Sequence, residues 1–320
     1  MRQAGRYLPE YRALRSRLGL LELCKTPEAA AQVTVLAVEK LGVDAAIIFA
    51  DILLLAEPLG VGLAFHRGEG PRILRPVRTR EEVARLPAVD PQDALAFVFD
   101  AIRLARRALG GRVPLIGFAG GPFTVASYLI EGGPSRDFLR TKKVMYSDPE
   151  TWDALMTRLA DLTARYLAGQ IASGAEAVQL FDSWIGCLSP HAYRRFVLPY
   201  TRRVLAALPP DVPVIHFGTG TAGLLEAMRD AGGDVIGLDW RVELGAAWQR
   251  LGDRVAVQGN LDPAVLLAPP EEIRAGVRAI LEAAGGRPGH IFNLGHGVLP
   301  MTPWERVRLV VDAVHELSQR

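Results

Sequence analysis

The chain has 320 residues, 49% apolar and 22% charged, which specifies a globular protein with a large core. Its formal net charge of +2 is too near balance for a general nucleic-acid or membrane-surface binder. Its two cysteines, Cys24 and Cys187, offer neither a disulfide framework nor zinc spacing and read as reduced thiols of a cytoplasmic protein. No run of eighteen apolar residues is available for a membrane span, and the first residues lack the apolar stretch of a secretory signal.

In chain order, the first informative segment is Met1–Arg12, MRQAGRYLPEYR. Arg2 and Arg6 bracket the small loop Gln3-Ala4-Gly5, and Arg15 follows Arg12. Guanidinium forks suit bidentate capture of carboxylate or phosphate, and a loop of small residues lets backbone N–H groups approach a ligand. Taken alone, such arginines are as readily a solvated surface.

Seven short apolar runs then alternate with longer amphipathic ones. The predicted strands are Asp44–Ala50, Val113–Phe118, Glu176–Phe181, Val212–Phe217, Asp234–Asp239, Val255–Gly259 and His290–Leu294. They are nearly continuous apolar runs, as parallel strands buried on both faces require. Thr26-Pro27, Asp90-Pro91, Ser189-Pro190 and Thr302-Pro303 each place a capping side chain before a proline at a helix start, and Thr302 to Glu305 reads as a capping box. In the last helix Val307, Val310, Val311, Val314 and Leu317 form one apolar stripe. Leu59–Leu86 is the least regular stretch and reads as an excursion.

Repeated strand–helix units imply right-handed crossovers and a parallel sheet, either closed or doubly wound. Polar or glycine-rich residues follow many strand ends: Asp51, Gly120-Gly121, Asp182-Ser183, Gly218-Thr219, Asn260 and His296. A doubly wound sheet would gather them at one switch point, whereas a barrel spreads them around one rim. The expected fold is therefore a (β/α)8 TIM-type barrel spanning residues 1–320 as one domain, with only seven of its eight strands counted.

Four of these strand-end groups carry chemistry. Asp51 precedes the apolar run Ile52–Leu55 and is either a helix-capping carboxylate or an acceptor aimed into a cleft. Tyr128 lies on a helix between two Gly-Gly pairs, and burial statistics alone would place it in the core. Gly120-Gly121-Pro122 would turn the chain so that the N–H groups starting this helix face the rim. Ser183 lacks the Gly-x-Ser-x-Gly setting of a hydrolase nucleophile and reads as a hydroxyl donor. His296 is bared by Gly295 and Gly297. Of the remaining histidines, none at ligand spacing, His216 is the nearest to a strand end.

Several strings, taken together, resemble the uroporphyrinogen decarboxylases: Met1–Arg12, Asp51-Ile52-Leu53, Gly121-Pro122-Phe123-Thr124 with Tyr128 and Glu131-Gly132-Gly133, Phe181-Asp182-Ser183-Trp184 with Gly186 and Leu188-Ser189-Pro190, and Asn293-Leu294-Gly295-His296-Gly297. Ala50 stands where that family usually has serine. The resemblance implies removal of carbon dioxide, without a cofactor or metal, from the four acetate side chains of uroporphyrinogen III, giving coproporphyrinogen III. It implies Asp51 and Arg2 as catalytic residues. Arg2, Gln3, Ala4, Gly5, Arg6, Arg15, Asp51, Tyr128, Ser183 and His296 would contact the tetrapyrrole. A cytoplasmic homodimer is implied as well. Met1 aligns with the loop after the family's first barrel strand, so that strand is expected to be missing, unless Pro71–Val77 substitutes for it.

A corrinoid methyltransferase on the same fold would need a His and Cys zinc site, and no His-x-Cys occurs. A non-enzymatic tetrapyrrole binder would have no use for Asp51. An inactive fragment is the third alternative.

Overall fold

The computed structural model describes residues 3–66 and 70–318, apart from the side chain of His66. All seven predicted strands form, the last with its predicted bounds and the others with shifts of one to three residues at their ends: β1 (Ala46–Ile47), β4 (Leu115–Gly120), β5 (Ala177–Asp182), β6 (Val214–Gly218), β7 (Val235–Gly237), β8 (Ala256–Leu261) and β9 (His290–Leu294). They make one parallel sheet in the order β1-β4-β5-β6-β7-β8-β9. Strand β6 is buried at every position, which explains why its sequence shows no polar alternation.

The sheet curls into a TIM-type α/β barrel. Phe49, Phe181, Phe217, Leu261, Phe292 and Leu294 come from distant strands yet share one apolar cluster. Phe181 meets Phe118 edge-on at 5.4 Å and Phe217 at 5.8 Å, filling the interior with aromatic rings. Because every strand runs the same way, all the strand ends named above open on one rim.

Leu59–Leu86 contains an unpredicted antiparallel hairpin, β2 (Leu63–His66) and β3 (Gly70–Ile73). Pro71–Val77 therefore does not substitute for a barrel strand: β3 pairs with β2, and Ile73 and Val77 donate to the Gly132 and Leu129 carbonyls of the neighbouring helix end.

Three of the four predicted helix starts place the helix at the proline. Asp90 caps by accepting from Gln92 N at 3.0 Å and Ser189 from Ala192 N at 3.1 Å. Thr26 makes no cap; its hydroxyl donates to Glu22 O at 2.9 Å. The capping box expected at Thr302 does not form, since the last helix is Trp304–Ser318 and the buried Thr302 hydroxyl has no partner.

Among the described residues β1 and β9 each have one paired edge, and no strand joins them. A cavity of about 940 Å³ lies between these edges, lined by Ala45, Ile47, Ile291 and Phe292 and by Val307, Val310, Val311 and Val314 of the last helix. Gln3 partly satisfies the β1 edge: its Nε2 donates to Ala45 O at 2.6 Å and its Oε1 accepts from Ile47 N at 2.9 Å.

Candidate active site at the C-terminal rim

Asp51 leaves β1 in an Asx-type turn. Its Oδ1 accepts from Leu53 N at 2.9 Å and its carbonyl from Leu54 N at 3.2 Å, which starts the 3₁₀ turn Leu54–Leu59. The carboxylate is half-buried, and its charge is felt by three neighbours. Burial first, then Asp51, push the Tyr128 phenol up to about 12, opposed by a hydrogen bond with Trp184. Burial and Asp51 likewise push the Cys24 thiol up to about 12, opposed by Arg15. The buried Tyr166 phenol is also raised, by burial above all. The Asp51 charge thus acts both on Cys24, which Arg15 also influences, and on Tyr128, far away in the sequence.

Ser183 and Tyr128 are brought into register by Asp182. Its Oδ1 accepts from Thr124 N at 3.2 Å and Thr124 Oγ1 at 2.8 Å, so it caps the helix Pro122–Glu131 from the end of β5. Trp184 N donates to the same Thr124 hydroxyl at 3.3 Å, and the Trp184 ring lies 5.9 Å from that of Tyr128. Only glycine fits at 121, where a Cβ would come within 2.6 Å of Asp182 Cγ. The Thr124 N–H expected to face the rim is therefore taken by Asp182. Burial pushes that carboxyl up to about 7 against the lowering effect of the Thr124 bonds. Ser183 is half-buried, and its carbonyl accepts from Thr219 Oγ1.

His296 is exposed and stacks on Trp240, with centroids 5.9 Å apart and planes 19° from parallel. Gly295 permits this, because a Cβ there would collide with the Trp240 backbone. Arg6 is exposed on the N-terminal loop, and Ala4 and Gly5 are buried. Arg15 is half-buried and donates to Leu18 O. The Gln3 amide and carbonyl are committed to Ala45, Ile47 and Tyr7, a structural role that sequence reading did not see. Arg2 lies outside the described residues.

His216 is mid-strand and fully buried, with no hydrogen bond to either ring nitrogen, so it does not reach the rim. Asp182 was recognised as a strand end but not as the helix cap. Asp239, Trp240 and Arg241 were missed as a rim group, although the strand-end rule applied to Asp234–Asp239 would have found them. Among the described residues no three His, Cys, Asp or Glu side chains converge as metal ligands. No described helix is long and apolar enough to cross a membrane.

A parallel, curled sheet with its polar residues gathered on the C-terminal rim is the plan of a TIM-type barrel enzyme. The sequence family described as uroporphyrinogen decarboxylase matches residues 1–317. A uroporphyrinogen decarboxylase of Sorangium cellulosum is 57% identical over 320 residues, covering 100% of this chain and 91% of that protein. Another, from Carboxydothermus hydrogenoformans, is 54% identical over 319 residues, covering 99% and 91%. The chain belongs to the uroporphyrinogen decarboxylase family. Among solved structures, a methyltransferase from Methanosarcina mazei matches with a TM-score of 0.81 over 96% of this chain and 91% of that one, at 22% identity, a likeness of fold.

Proposed function

We propose that this chain removes carbon dioxide from the four acetate side chains of uroporphyrinogen III and yields coproporphyrinogen III, with no cofactor. The family match over residues 1–317 supports the reaction, and the half-buried Asp51 at the end of β1, whose charge acts on the buried Tyr128 phenol, supports the site. Loss of carbon dioxide from an acetate leaves an electron pair that needs a sink, which many decarboxylases borrow from a cofactor. A pyrrole becomes its own sink once a ring carbon is protonated, because the resulting cation is conjugated with the acetate. The C–C bond then breaks, its electrons neutralise the ring, a second proton converts the exocyclic methylene to methyl, and the first proton leaves the ring carbon to restore the pyrrole.

Asp51 is assigned the stabilisation of that cation by accepting from pyrrole N–H groups. At ~4 Å and an effective dielectric of ~20 the attraction is about 4 kcal/mol, roughly a thousandfold in rate. Positioning and proton transfer supply the remainder. Arg2 is assigned a catalytic role in holding the reacting carboxylate. Arg6 and Arg15 are assigned to other carboxylates, Ala4 and Gly5 to backbone contacts, and Tyr128, Ser183 and His296 to the side chains of the macrocycle. Gln3 would contribute through its backbone N–H alone. We assign the protein to the cytoplasm as a homodimer, which light scattering on the purified chain would test.

The deciding experiment incubates the chain with uroporphyrinogen III under reducing, anaerobic conditions and separates the oxidised products by carboxylate number. Stepwise appearance of products with seven, six, five and four carboxylates supports the proposal. Unchanged substrate with a folded protein overturns it.

A further inference from the structure

The proposed function leaves one feature of the rim unused. Past the end of β7, Asp239, Trp240 and Arg241 form a rigid group against His296. The Arg241 guanidinium lies over the Trp240 ring at 3.8 Å, and the same indole stacks with His296. Arg241 Nη1 donates to Asp239 Oδ2 at 2.7 Å. Asp239 is itself fixed: Gly220 N donates to its Oδ2 at 2.6 Å and Arg241 N to its Oδ1 at 3.0 Å. Asn260 Nδ2 clamps the loop from below by donating to the Asp239 and Val242 carbonyls, both at 2.8 Å.

We infer that Arg241 is a further carboxylate-binding residue of this site, one that recognises a substrate carboxylate on the His296 side of the barrel mouth. The inference rests on the assignment of His296 to substrate binding. Three observations carry it. Arg241 follows a barrel strand at the same end as Asp51, Ser183 and His296, so it belongs to the active rim of the fold. Its side chain is 52% exposed while that of its partner Asp239 is 1% exposed, so the pair presents its cation outward. Its Nε and Nη2 donate to no described residue, and the flat group is held in place by the indole and by a buried anion. A guanidinium oriented beforehand loses little freedom on binding a carboxylate.

A purely structural role, neutralising Asp239, would need only Nη1. Asp239 also receives two backbone N–H groups, so its burial is offset in part without the guanidinium. The exposed side of Arg241 then serves an anion from solution. Eight carboxylates on the proposed substrate call for more cations than Arg2, Arg6 and Arg15 provide.

Equilibrium binding of uroporphyrin, an octacarboxylate, to the purified chain tests this as a function of salt. Arg241→Gln should weaken binding roughly tenfold, the scale of a lost charge-assisted hydrogen bond. It should also flatten the salt dependence, since one solvated ion pair is gone. Arg241→Lys should restore the salt dependence and part of the affinity. Unchanged affinity in Arg241→Gln, with weakened binding in His296→Ala, overturns the inference and leaves the site assignment intact. Unchanged affinity in both variants overturns the His296 assignment as well. Weaker binding with an unaltered salt dependence and a lowered melting point would mean that Arg241 only neutralises Asp239, and this too overturns the inference.

Discussion

Asp51 is the residue on which the proposed chemistry turns. Asp51→Asn keeps the shape and one acceptor but removes the charge opposite the cation. Product formation should fall by roughly two to three decades while uroporphyrin affinity changes little. Loss of binding with intact turnover at saturation would remove Asp51 from the chemistry. Two fully buried groups bias the pH dependence of stability in opposite senses. Asp182 has its carboxyl raised to about 7 by burial, so the folded state holds a proton that the unfolded state has already released above the ordinary value of 3.8. Its contribution is complete below about 4 and is lost as pH rises through about 7. His216 is the reverse: burial lowers it from 6.5 to about 4, so its contribution is present above about 6.5 and lost as pH falls through about 4. The two slopes oppose each other between those limits. Relative to the parent, Asp182→Asn should therefore tilt the stability curve upward with pH in this window, as read by denaturant titration at pH 4.5, 5.5 and 6.5. A parallel curve would show that Asp182 is ionised throughout.

At the scale of elements, side-chain amides stand in for strand partners. Gln170, on the long helix Pro149–Ala172, accepts from Phe118 N and donates to Phe118 O, both at 2.8 Å, on β4. Gln3 does the same at Ala45 and Ile47 on the edge of β1. Gln3→Ala leaves a backbone donor and acceptor unpaired and should cost about 1–3 kcal/mol, read as a lower denaturation midpoint. An unchanged midpoint would show that water replaces the amide at no cost. Gly295→Ala tests the rim past the end of β9. A methyl group there cannot coexist with the Trp240 backbone, so the His296 loop must shift and its stacking on Trp240 must be lost. Uroporphyrin affinity should fall in this variant as far as in His296→Ala. Retained affinity would mean that the stack does not hold His296 in its binding position.

For the whole molecule, the consequential feature is the seam between β1 and β9. Two parallel strands there face a cavity of about 940 Å³ lined by apolar side chains from both edges and from the last helix. Unpaired strand edges are sites of non-native pairing, and an apolar groove of this size invites collapse or association. Exhaustive chelation and dialysis are a test at this scale. The proposed sink is the substrate's own ring, so activity should survive both treatments in full. Recovery only on addition of zinc or pyridoxal phosphate would transfer the chemistry to another class.

Local signals carried much of the fold. Continuous apolar runs such as Val212–Phe217 announced strands because both faces of a barrel wall are buried, and Asp90 and Ser189 announced helix starts because their oxygens reach the first free N–H groups. The rim residues Asp51, Ser183 and His296 were legible as polar groups at the ends of apolar runs, and their roles came from resemblance. The hairpin Leu63–Ile73 was not legible, since glycine, proline and charge mask its alternation and its partners lie on a helix end sixty residues away. Nor did sequence tell which polar groups would be used structurally. Gln3 pairs with a strand edge, Asp182 caps a helix, His216 is sealed in the wall, and Thr302 caps nothing. Strand and helix identity follow from neighbours along the chain, whereas the partner of a polar side chain is chosen by groups that only the closing of the barrel brings within hydrogen-bond reach.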